Sequence, residues 1–277
     1  MKLSASLRPH AGEGWPAFAH RAASLGFRGL ALPFNPAWTD ADLLRIRQAL
    51  DEQQIEVVEL TAHGNFLTPS EDEVRRGLEA LSRAMQAGAL LNCDHVVTHA
   101  GSRCPDPRQP LAPHPDNWAD ATWDLLIRRI WSLLDSVEDM GVRLCFEPCA
   151  TTTLNSLDSL AALMADVATV NVRIALDPAA LFNVEAAARP KEALADIFAT
   201  LADTIALARA TDVRLVPGAD EPLLERVAPG QGVLDYGTYL KLLNALELDT
   251  PIVVPHQEND AAYRAAHDFL AAAARRP

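Results

Sequence analysis

Short apolar runs alternate along this chain with longer segments in which apolar residues recur every three or four positions. The short runs are rich in β-branched residues and have the length of buried strands, whereas the longer segments have the period of amphipathic helices. This alternation is typical of repeated βα units around a parallel sheet. We predict strands at Lys2–Leu7, Gly29–Pro33, Ile55–Thr61, His95–His99, Val142–Glu147, Val172–Asp177, Val213–Val216 and Pro251–Val254.

Capping residues mark the start of several predicted helices. Thr39 is followed by Asp42, and Ser70 by Glu73, which is the spacing of a capping box, and Asp235 is predicted to cap a helix near the C-terminus. No linker interrupts the eight units. The sequence therefore predicts one α/β domain over residues 1–277, folded as a single (β/α)8 barrel.

Three long irregular stretches, 100–117, 178–190 and 217–234, follow predicted strands rather than helices. In an eight-fold barrel the loops after the strands lie at the catalytic face, so loop length predicts the position of the site. The proline-rich part, Pro105–Pro115, is interpreted as either a semi-rigid lid or a plain surface loop.

Two predicted strands, Val142–Glu147 and Val172–Asp177, are near copies that each end in a carboxylate followed by proline. As neighbouring barrel strands they would direct both acids into one site, where two uncompensated carboxylates need a counter-charge. A divalent metal ion is one source of that charge. The alternative is that the acids pair with Arg143 and Arg173 on the same strand faces, or with a helix N-terminus.

Two histidines, His63 and His99, also stand at the ends of predicted strands. Neutral imidazoles and carboxylates form a common mixed ligand set for zinc or manganese. A single histidine is more often structural, but two at matching strand ends favour a ligand role as much as a structural one. Both are therefore candidates for the same site as the acids.

Composition and charge narrow the class of protein. Apolar residues make up 49% and charged residues 22% of the chain, no apolar run has the length of a membrane span, and the start lacks the apolar core of a secretory signal. We therefore predict a cytoplasmic protein without a membrane partner, whose four cysteines are free thiols. The net charge of −13 argues against nucleic acid as a partner.

Three motifs resemble those of the xylose isomerase-like barrel superfamily. Gly26–Gly29 is similar to the family's lead into strand two, Val97–Gly101 to its fourth-strand ending, and Pro229–Tyr236 to its turn before helix seven. The family contains sugar-phosphate isomerases and epimerases, inosose dehydratases, hydroxypyruvate isomerases and the endonuclease IV group. The resemblance covers nearly the whole chain and implies a barrel acting on a small sugar or sugar-like molecule.

The family's epimerases hold one metal ion with a Glu on strand five, an Asp on strand six, a His on strand seven and a Glu on strand eight. Glu147 and Asp177 match the first two. The other two positions and the histidine of the family's strand-six Asp-x-x-His motif are expected at residues that cannot serve. These departures are Pro217 or Gly218, Pro255 and Ala180.

The endonuclease branch adds histidines from strands three and four, which His63 and His99 match. The resemblance thus implies a site for one divalent ion, zinc, manganese or cobalt, on His63, His99 and Glu147, with Asp177 nearby. It implies no nucleotide cofactor.

Three further residues are candidates for binding the substrate. Arg226 matches an arginine that family epimerases direct to substrate hydroxyls or phosphate, and it is equally well a surface residue of a long loop. Asp220 is expected at the acidic position after strand seven, and His256 is either a replacement ligand or a solvated histidine of the rim.

Two principal hypotheses follow. In the first, Glu147 is the base of a metal-assisted isomerase, epimerase or dehydratase that acts on a small polyhydroxy carbonyl compound through an enediolate. In the second, the barrel is inactive or metal-free and binds a small metabolite, as Pro217, Pro255 and Ala180 suggest. An apurinic-site endonuclease is disfavoured by the charge. The sequence leaves the oligomeric state open, and a homo-oligomer is compatible with it.

Overall fold

Eight parallel strands close into a barrel, with helices between successive barrel strands. The computed structural model describes residues 2–137, 140–218, 222–246 and 249–275. The (β/α)8 prediction is therefore confirmed.

The barrel strands are short, and most are followed by a helix in the next segment of chain. The strands are β1 (Leu3–Ala5), β2 (Gly29–Pro33), β3 (Glu56–Thr61), β4 (His95–Thr98), β5 (Arg143–Phe146), β6 (Val172–Leu176), β7 (Ile205–Arg209), β8 (Asp212–Leu215), β9 (Leu224–Val227) and β10 (Ile252–Val254). The barrel order is β1-β10-β7-β6-β5-β4-β3-β2, and β8 and β9 lie outside the barrel. The helices are α1 (Trp15–Ser24), α2 (Asp40–Asp51), α3 (Glu71–Leu91), α4 (Asp120–Asp135), α5 (Leu157–Val167), α6 (Pro178–Leu181), α7 (Val184–Ala188), α8 (Pro190–Leu201), α9 (Tyr236–Asn244) and α10 (Asp260–Ala273).

The predicted helix starts are confirmed at three caps. Thr39 and Asp42 form a complete capping box on α2, Ser70 accepts a hydrogen bond from the backbone of Glu73 on α3, and Asp235 caps α9. These side chains satisfy backbone N–H groups that have no partner within the helix.

The seventh barrel strand is not where the sequence pattern predicts it. Ile205–Arg209 pairs with β6 and β10 in the barrel, whereas Val213–Val216 overlaps β8, which pairs antiparallel with β9 outside the barrel. The prediction was wrong because the segment starting at Val213 copies the Val-Arg pattern of β5 and β6. The alanine-rich Ile205–Arg209 follows α8 closely and lacks such a signature.

Small apolar side chains fill the barrel lumen, and a larger apolar layer lies between strands and helices. The lumen holds Cys145 and Ala175, so the predicted inward face of β5 and β6 is correct. The lumen cluster is Ala31, Val58, Val97, Cys145, Ala175, Ala206, Leu207 and Val253.

Irregular pairing in two strands turns additional side chains inward. The pairing of β2 with β3 skips Val58, and the pairing of β6 with β7 skips Ala206, so each strand contains one extra residue. Such a β-bulge shifts the inside–outside alternation by one position. After the bulges, Glu59 on β3 and Arg209 on β7 both face the mouth of the barrel.

The expectations from composition can be compared with the structure. Across the described ranges, no helix combines the length and the apolar character that crossing a bilayer requires. Cys93, Cys104, Cys145 and Cys149 are free thiols.

A single buried carboxylate anchors the segment between β9 and α9 to the start of β8. Asp212 Oδ1 accepts hydrogen bonds from the backbone N–H groups of Val213 (2.8 Å) and Leu234 (2.9 Å), and Oδ2 accepts from Gly230 (3.1 Å) and Gly232 (3.0 Å). Four backbone donors thus compensate a charge that has no exposure to solvent. The anchor closes the base of the hairpin β8–β9, which carries Arg226 to the barrel mouth.

We expect Asp212→Asn to lower the free energy of unfolding by about 2–4 kcal/mol, because the amide replaces one acceptor oxygen by a donor that faces two N–H groups. Urea unfolding measures the change. The matched control is Glu225→Gln on the same hairpin, which removes only a solvent-exposed pair with Arg214 and should cost less than about 1 kcal/mol. Equal effects of the two substitutions would contradict the anchoring role.

Candidate active site at the barrel mouth

The carboxyl ends of the barrel strands surround a cavity of about 220 Å³. Asp220, one of the predicted substrate-binding residues, lies outside the described residues. The other predicted site residues all line this cavity: His63, His99, Glu147, Asp177, Arg226 and His256.

The centre of the site is a buried arginine that sequence reasoning missed. Arg209 donates from Nη1 and Nη2 to the two oxygens of Glu59, with 2.9 Å from Nη2 to Oε1, and from Nε (2.9 Å) and Nη2 to Oε2 of Glu147. Glu59 has no solvent exposure, and Arg209 is 7% exposed. One guanidinium therefore bridges two carboxylates across the barrel mouth.

The bridge leaves the two oxygens of Glu147 in different states. Oε2 accepts both hydrogen bonds from Arg209, whereas Oε1 accepts none from the described residues. Burial raises the pKa of Glu147, but the positive charge of Arg209 and the hydrogen bonds that it donates, together with the nearby His99, outweigh it, so the pKa lies below its ordinary value. Glu147 is thus a carboxylate at neutral pH with one oxygen held and one available.

The second acid of the twin strands has its own arginine. Asp177 Oδ2 accepts from Nη2 of Arg226 at 2.6 Å, and Oδ1 accepts from the backbone N–H of Ala179 at 3.1 Å, which caps α6. Burial and the charge of Glu147 raise the pKa of Asp177, and Arg226 offsets only part of this. The reason is that the Arg226 side chain is 52% exposed, so solvent screens its charge.

The two histidines form a stacked pair beside Glu147. The rings of His63 and His99 are 5.5 Å apart and tilted by 8°. His99 Nδ1 lies 3.0 Å from the backbone oxygen of Glu147, which can only accept, so a neutral His99 carries its proton on Nδ1 and has its lone pair on Nε2. Protein surrounds most of His63 although solvent reaches it, and this desolvation, with the nearby His99, lowers its pKa.

The twin-strand acids do not pair with Arg143 or Arg173, although Asp177 does cap a helix N-terminus, as the alternative also allowed. Glu147 and Asp177 pair with Arg209 and Arg226, not with arginines of their own strands. Arg173 instead donates to backbone carbonyl groups near the start of β6. The strand-seven position expected at Pro217 or Gly218 is occupied by Arg209, because β7 is an earlier segment.

The residues of the site do not fit a metal ion. Glu147 Oε2 and both oxygens of Asp177 already accept hydrogen bonds. In addition, the cationic guanidinium of Arg209 lies between Glu147 and Glu59. Among the described residues, no group of three or more His, Cys, Asp and Glu side chains is arranged to hold a metal ion. The predicted ligands His63, His99, Glu147 and Asp177 line one cavity without forming a ligand cluster.

Weak signals for the missed residues exist in the sequence. Glu59 is the one acid inside the apolar part of its strand, and Arg209 ends an apolar run of strand length. The bulges that turn Glu59 and Arg209 inward have no comparable sequence signature.

His256 and Pro255 follow β10 as the pattern predicts, and His256 Nδ1 lies 3.2 Å from the hydroxyl of Tyr263.

A wider cavity of about 480 Å³ adjoins the first and shares His63 and His99 with it. Its outer wall is the proline-rich segment, including Pro107 and Leu111. Thr151 Oγ1 donates to the carbonyl of Leu111 at 2.6 Å, which ties this segment to the loop after β5. The segment therefore forms a wall of the site and leaves room for substituents beyond the central cavity.

Comparisons with known proteins agree with the observed architecture. A family model described as xylose isomerase-like TIM barrel matches residues 19–273. The comparison with curated proteins found no significant match.

Solved structures resemble the chain over nearly its whole length. A D-psicose 3-epimerase in the presence of D-fructose has a TM-score of 0.75 at 16% identity, covering 99% of each chain. A 3-keto-D-glucoside 4-epimerase from E. coli has a TM-score of 0.75 at 17% identity, covering 98% of this chain and 99% of that one. A xylose isomerase-like protein from Mycobacterium smegmatis in complex with magnesium has a TM-score of 0.74 at 14% identity, covering 99% and 96%. At these identities the likeness establishes the fold.

We expect Arg209→Gln to lower the free energy of unfolding by about 3–5 kcal/mol at pH 7, because it leaves the buried carboxylate of Glu59 and the largely covered carboxylate of Glu147 without their counter-charge. Glu147 has a lowered pKa in the folded protein, so its stabilising contribution is complete above the unfolded value and is lost as the pH falls through the folded value. The difference from the wild type should therefore shrink at acidic pH.

Urea unfolding at pH 7 and at about pH 3 measures this dependence, because the window lies below the ordinary Glu pKa of about 4.3. Arg214→Gln, which removes one exposed ion pair, is the control and should cost little at either pH. A loss of stability in Arg209→Gln that is the same at both pH values would contradict the charge-bridging role.

Proposed function

The chain belongs to the xylose isomerase-like TIM barrel family, and we propose that it isomerises a small polyhydroxy carbonyl compound of the ketose class at its barrel mouth. The observation that carries the proposal is Glu147, which has one oxygen fixed by Arg209 and the other available in the cavity. The solved epimerase named above, which was crystallised with D-fructose, supports a ketose as the first class to test.

Glu147 has the charge and the position that a general base needs. Its lowered pKa keeps it ionised at neutral pH, and Arg209 fixes the orientation of the carboxylate. In the proposed reaction Oε1 takes the proton from the carbon beside the carbonyl group, and the electron pair moves onto the carbonyl oxygen to give an enediol or enediolate. Oε1 of Glu147 then returns the proton to the former carbonyl carbon. A proton transfer between the two substrate oxygens completes the isomerisation.

Arg226 supplies the positive charge for the developing oxyanion. One of its nitrogens binds Asp177, while other N–H groups of the half-exposed guanidinium are free to meet a substrate oxygen. In its neutral form His99 presents the lone pair of Nε2, which can accept a hydrogen bond from a substrate hydroxyl. No step of this proposal passes through a metal ion.

The occupancy of the carboxylates favours isomerisation over epimerisation. Epimerisation by a pair of carboxylates requires a second free carboxylate on the opposite face of the substrate. Among the described residues of the cavity, both oxygens of Asp177 and both of Glu59 already accept hydrogen bonds. A single base that removes and returns the proton on one face produces an aldose–ketose interconversion.

Binding of a metabolite without turnover is the second candidate. The ion pair with Arg209 favours it, because a carboxylate with a lowered pKa is a weaker base. The two functions differ in exchange of the substrate's carbon-bound hydrogen, which binding alone does not cause.

We expect the wild type to incorporate deuterium from solvent beside the carbonyl group of at least one ketose or aldose, and Glu147→Gln to slow this by about 10²–10⁴-fold. NMR of a panel of sugars in D₂O, with and without phosphate groups, measures the exchange, and circular dichroism checks the fold of the variant. Exchange that survives in Glu147→Gln would remove Glu147 as the base. Binding of a sugar without any exchange would favour the metabolite-binding function.

We expect Arg226→Ala to raise KM or Kd for the active sugar by about tenfold or more and also to lower kcat, because the lost guanidinium contacts both bound substrate and oxyanion. Steady-state kinetics on the sugar identified by NMR measure both values. Arg214→Ala on the same hairpin is the control, since among the described residues Arg214 pairs only with exposed Glu225. Unchanged kinetics in Arg226→Ala would contradict the proposed contact.

A further inference from the structure

We infer that Arg209 is a built-in cation that occupies the place of a divalent metal ion in this barrel mouth. The carboxylates at the strand ends are thus organised by a side chain of the protein itself. The inference concerns the charge at the centre of the proposed active site, but its evidence and its test stand apart from the reaction.

The guanidinium is held as a bound ion would be held. It is almost fully buried, and its hydrogen bonds join β3 to β5 through the carboxylates of Glu59 and Glu147. Thr61 Oγ1 donates to Glu59 at 2.7 Å, and the hydroxyl of Tyr239 donates to the backbone oxygen of Arg209 at 3.0 Å. Further hydrogen bonds therefore position one of the carboxylates and the backbone of Arg209.

The cage leaves little room for a second cation. Arginine remains protonated in proteins, so the charge at the centre cannot be removed by a change of pH. A divalent ion bound to Glu147 would lie close to this guanidinium, and like charges at short distance in a buried site repel strongly. Because Oε2 of Glu147 accepts two hydrogen bonds from Arg209, only Oε1 of this carboxylate would be left to bind the ion.

The surrounding groups are nevertheless of the types that bind transition metals. Carboxylates of Glu147 and Asp177 and the imidazoles of His63 and His99 line the same cavity. What separates this set from a metal site is the side chain at position 209, which carries a positive charge where a neutral ligand is needed. Replacing the guanidinium by an imidazole both removes the repulsion and adds a donor.

The first test is metal binding by the wild type. Protein dialysed against a chelator and then against Mn²⁺, Zn²⁺ or Co²⁺ should retain less than about 0.1 equivalent of metal at the site. Elemental analysis measures the content, and the electron paramagnetic resonance spectrum of Mn²⁺ measures its affinity. One equivalent bound by the wild type, and lost on Glu147→Gln, would overturn the inference whatever the behaviour of other variants.

The second test compares three substitutions at one position. Arg209→His should bind Co²⁺ or Mn²⁺ about tenfold or more tightly than the wild type. Its Co²⁺ complex should show the visible absorption bands of protein-bound Co²⁺. Arg209→Gln removes the charge without adding a metal donor of comparable strength and should bind less tightly than Arg209→His. Arg209→Lys keeps the charge and should bind no better than the wild type. Tight binding by Arg209→Lys, or none by a folded Arg209→His, would overturn the inference.

These metal measurements need no turnover and are therefore independent of the proposed reaction. If no sugar exchanges deuterium but Arg209→His gains a metal ion, the isomerase proposal fails while the built-in cation stands. If the wild type both turns over and requires a bound metal ion, the built-in cation fails while the isomerase class stands.

Discussion

The barrel mouth depends on one interaction, the guanidinium of Arg209 held between the carboxylates of Glu59 and Glu147. Three buried charges close together are costly unless each is hydrogen-bonded, and the geometry of four bonds from one planar group meets that condition. Because the partners lie on three separate strands, the bridge forms only when the barrel is closed. Fold and site therefore share one requirement, the correct placement of β3, β5 and β7.

The bulges at Val58 and Ala206 are the structural origin of this bridge. Without the extra residue in each strand, alternation along the regular ladder would turn Glu59 and Arg209 toward the helices, where an unpaired charge would meet an apolar layer. The same residues keep the lumen apolar below the mouth, since Val58, Ala206 and Leu207 belong to its core. A dry lumen beneath the charges strengthens the hydrogen bonds above it.

Much of this arrangement could be predicted from sequence, and the rest could not, for physical reasons. The strand endings predicted that Glu147, His63 and His99 would meet at one rim, because parallel strands end on one face of a barrel. Periodicity could not distinguish β7 from the hairpin segment starting at Val213, since both are short and apolar. The bulges are set by pairing between strands far apart in sequence, so the inward turn of Arg209 has no local signal.

The exchange of a metal ion for an arginine changes what the proposed site can do. A metal ion offers open coordination positions to the substrate, whereas Arg209 directs its hydrogen bonds to the protein's own carboxylates. Polarising the substrate then falls mainly to Arg226, whose guanidinium is half exposed and stands on a hairpin rather than on a barrel strand. In the proposed reaction, a substrate that draws Arg226 away from Asp177 would remove the charge that offsets the raised pKa of this buried acid. The hairpin that carries Arg226 is therefore where substrate selectivity is expected to reside, while the bridge beneath it stays fixed.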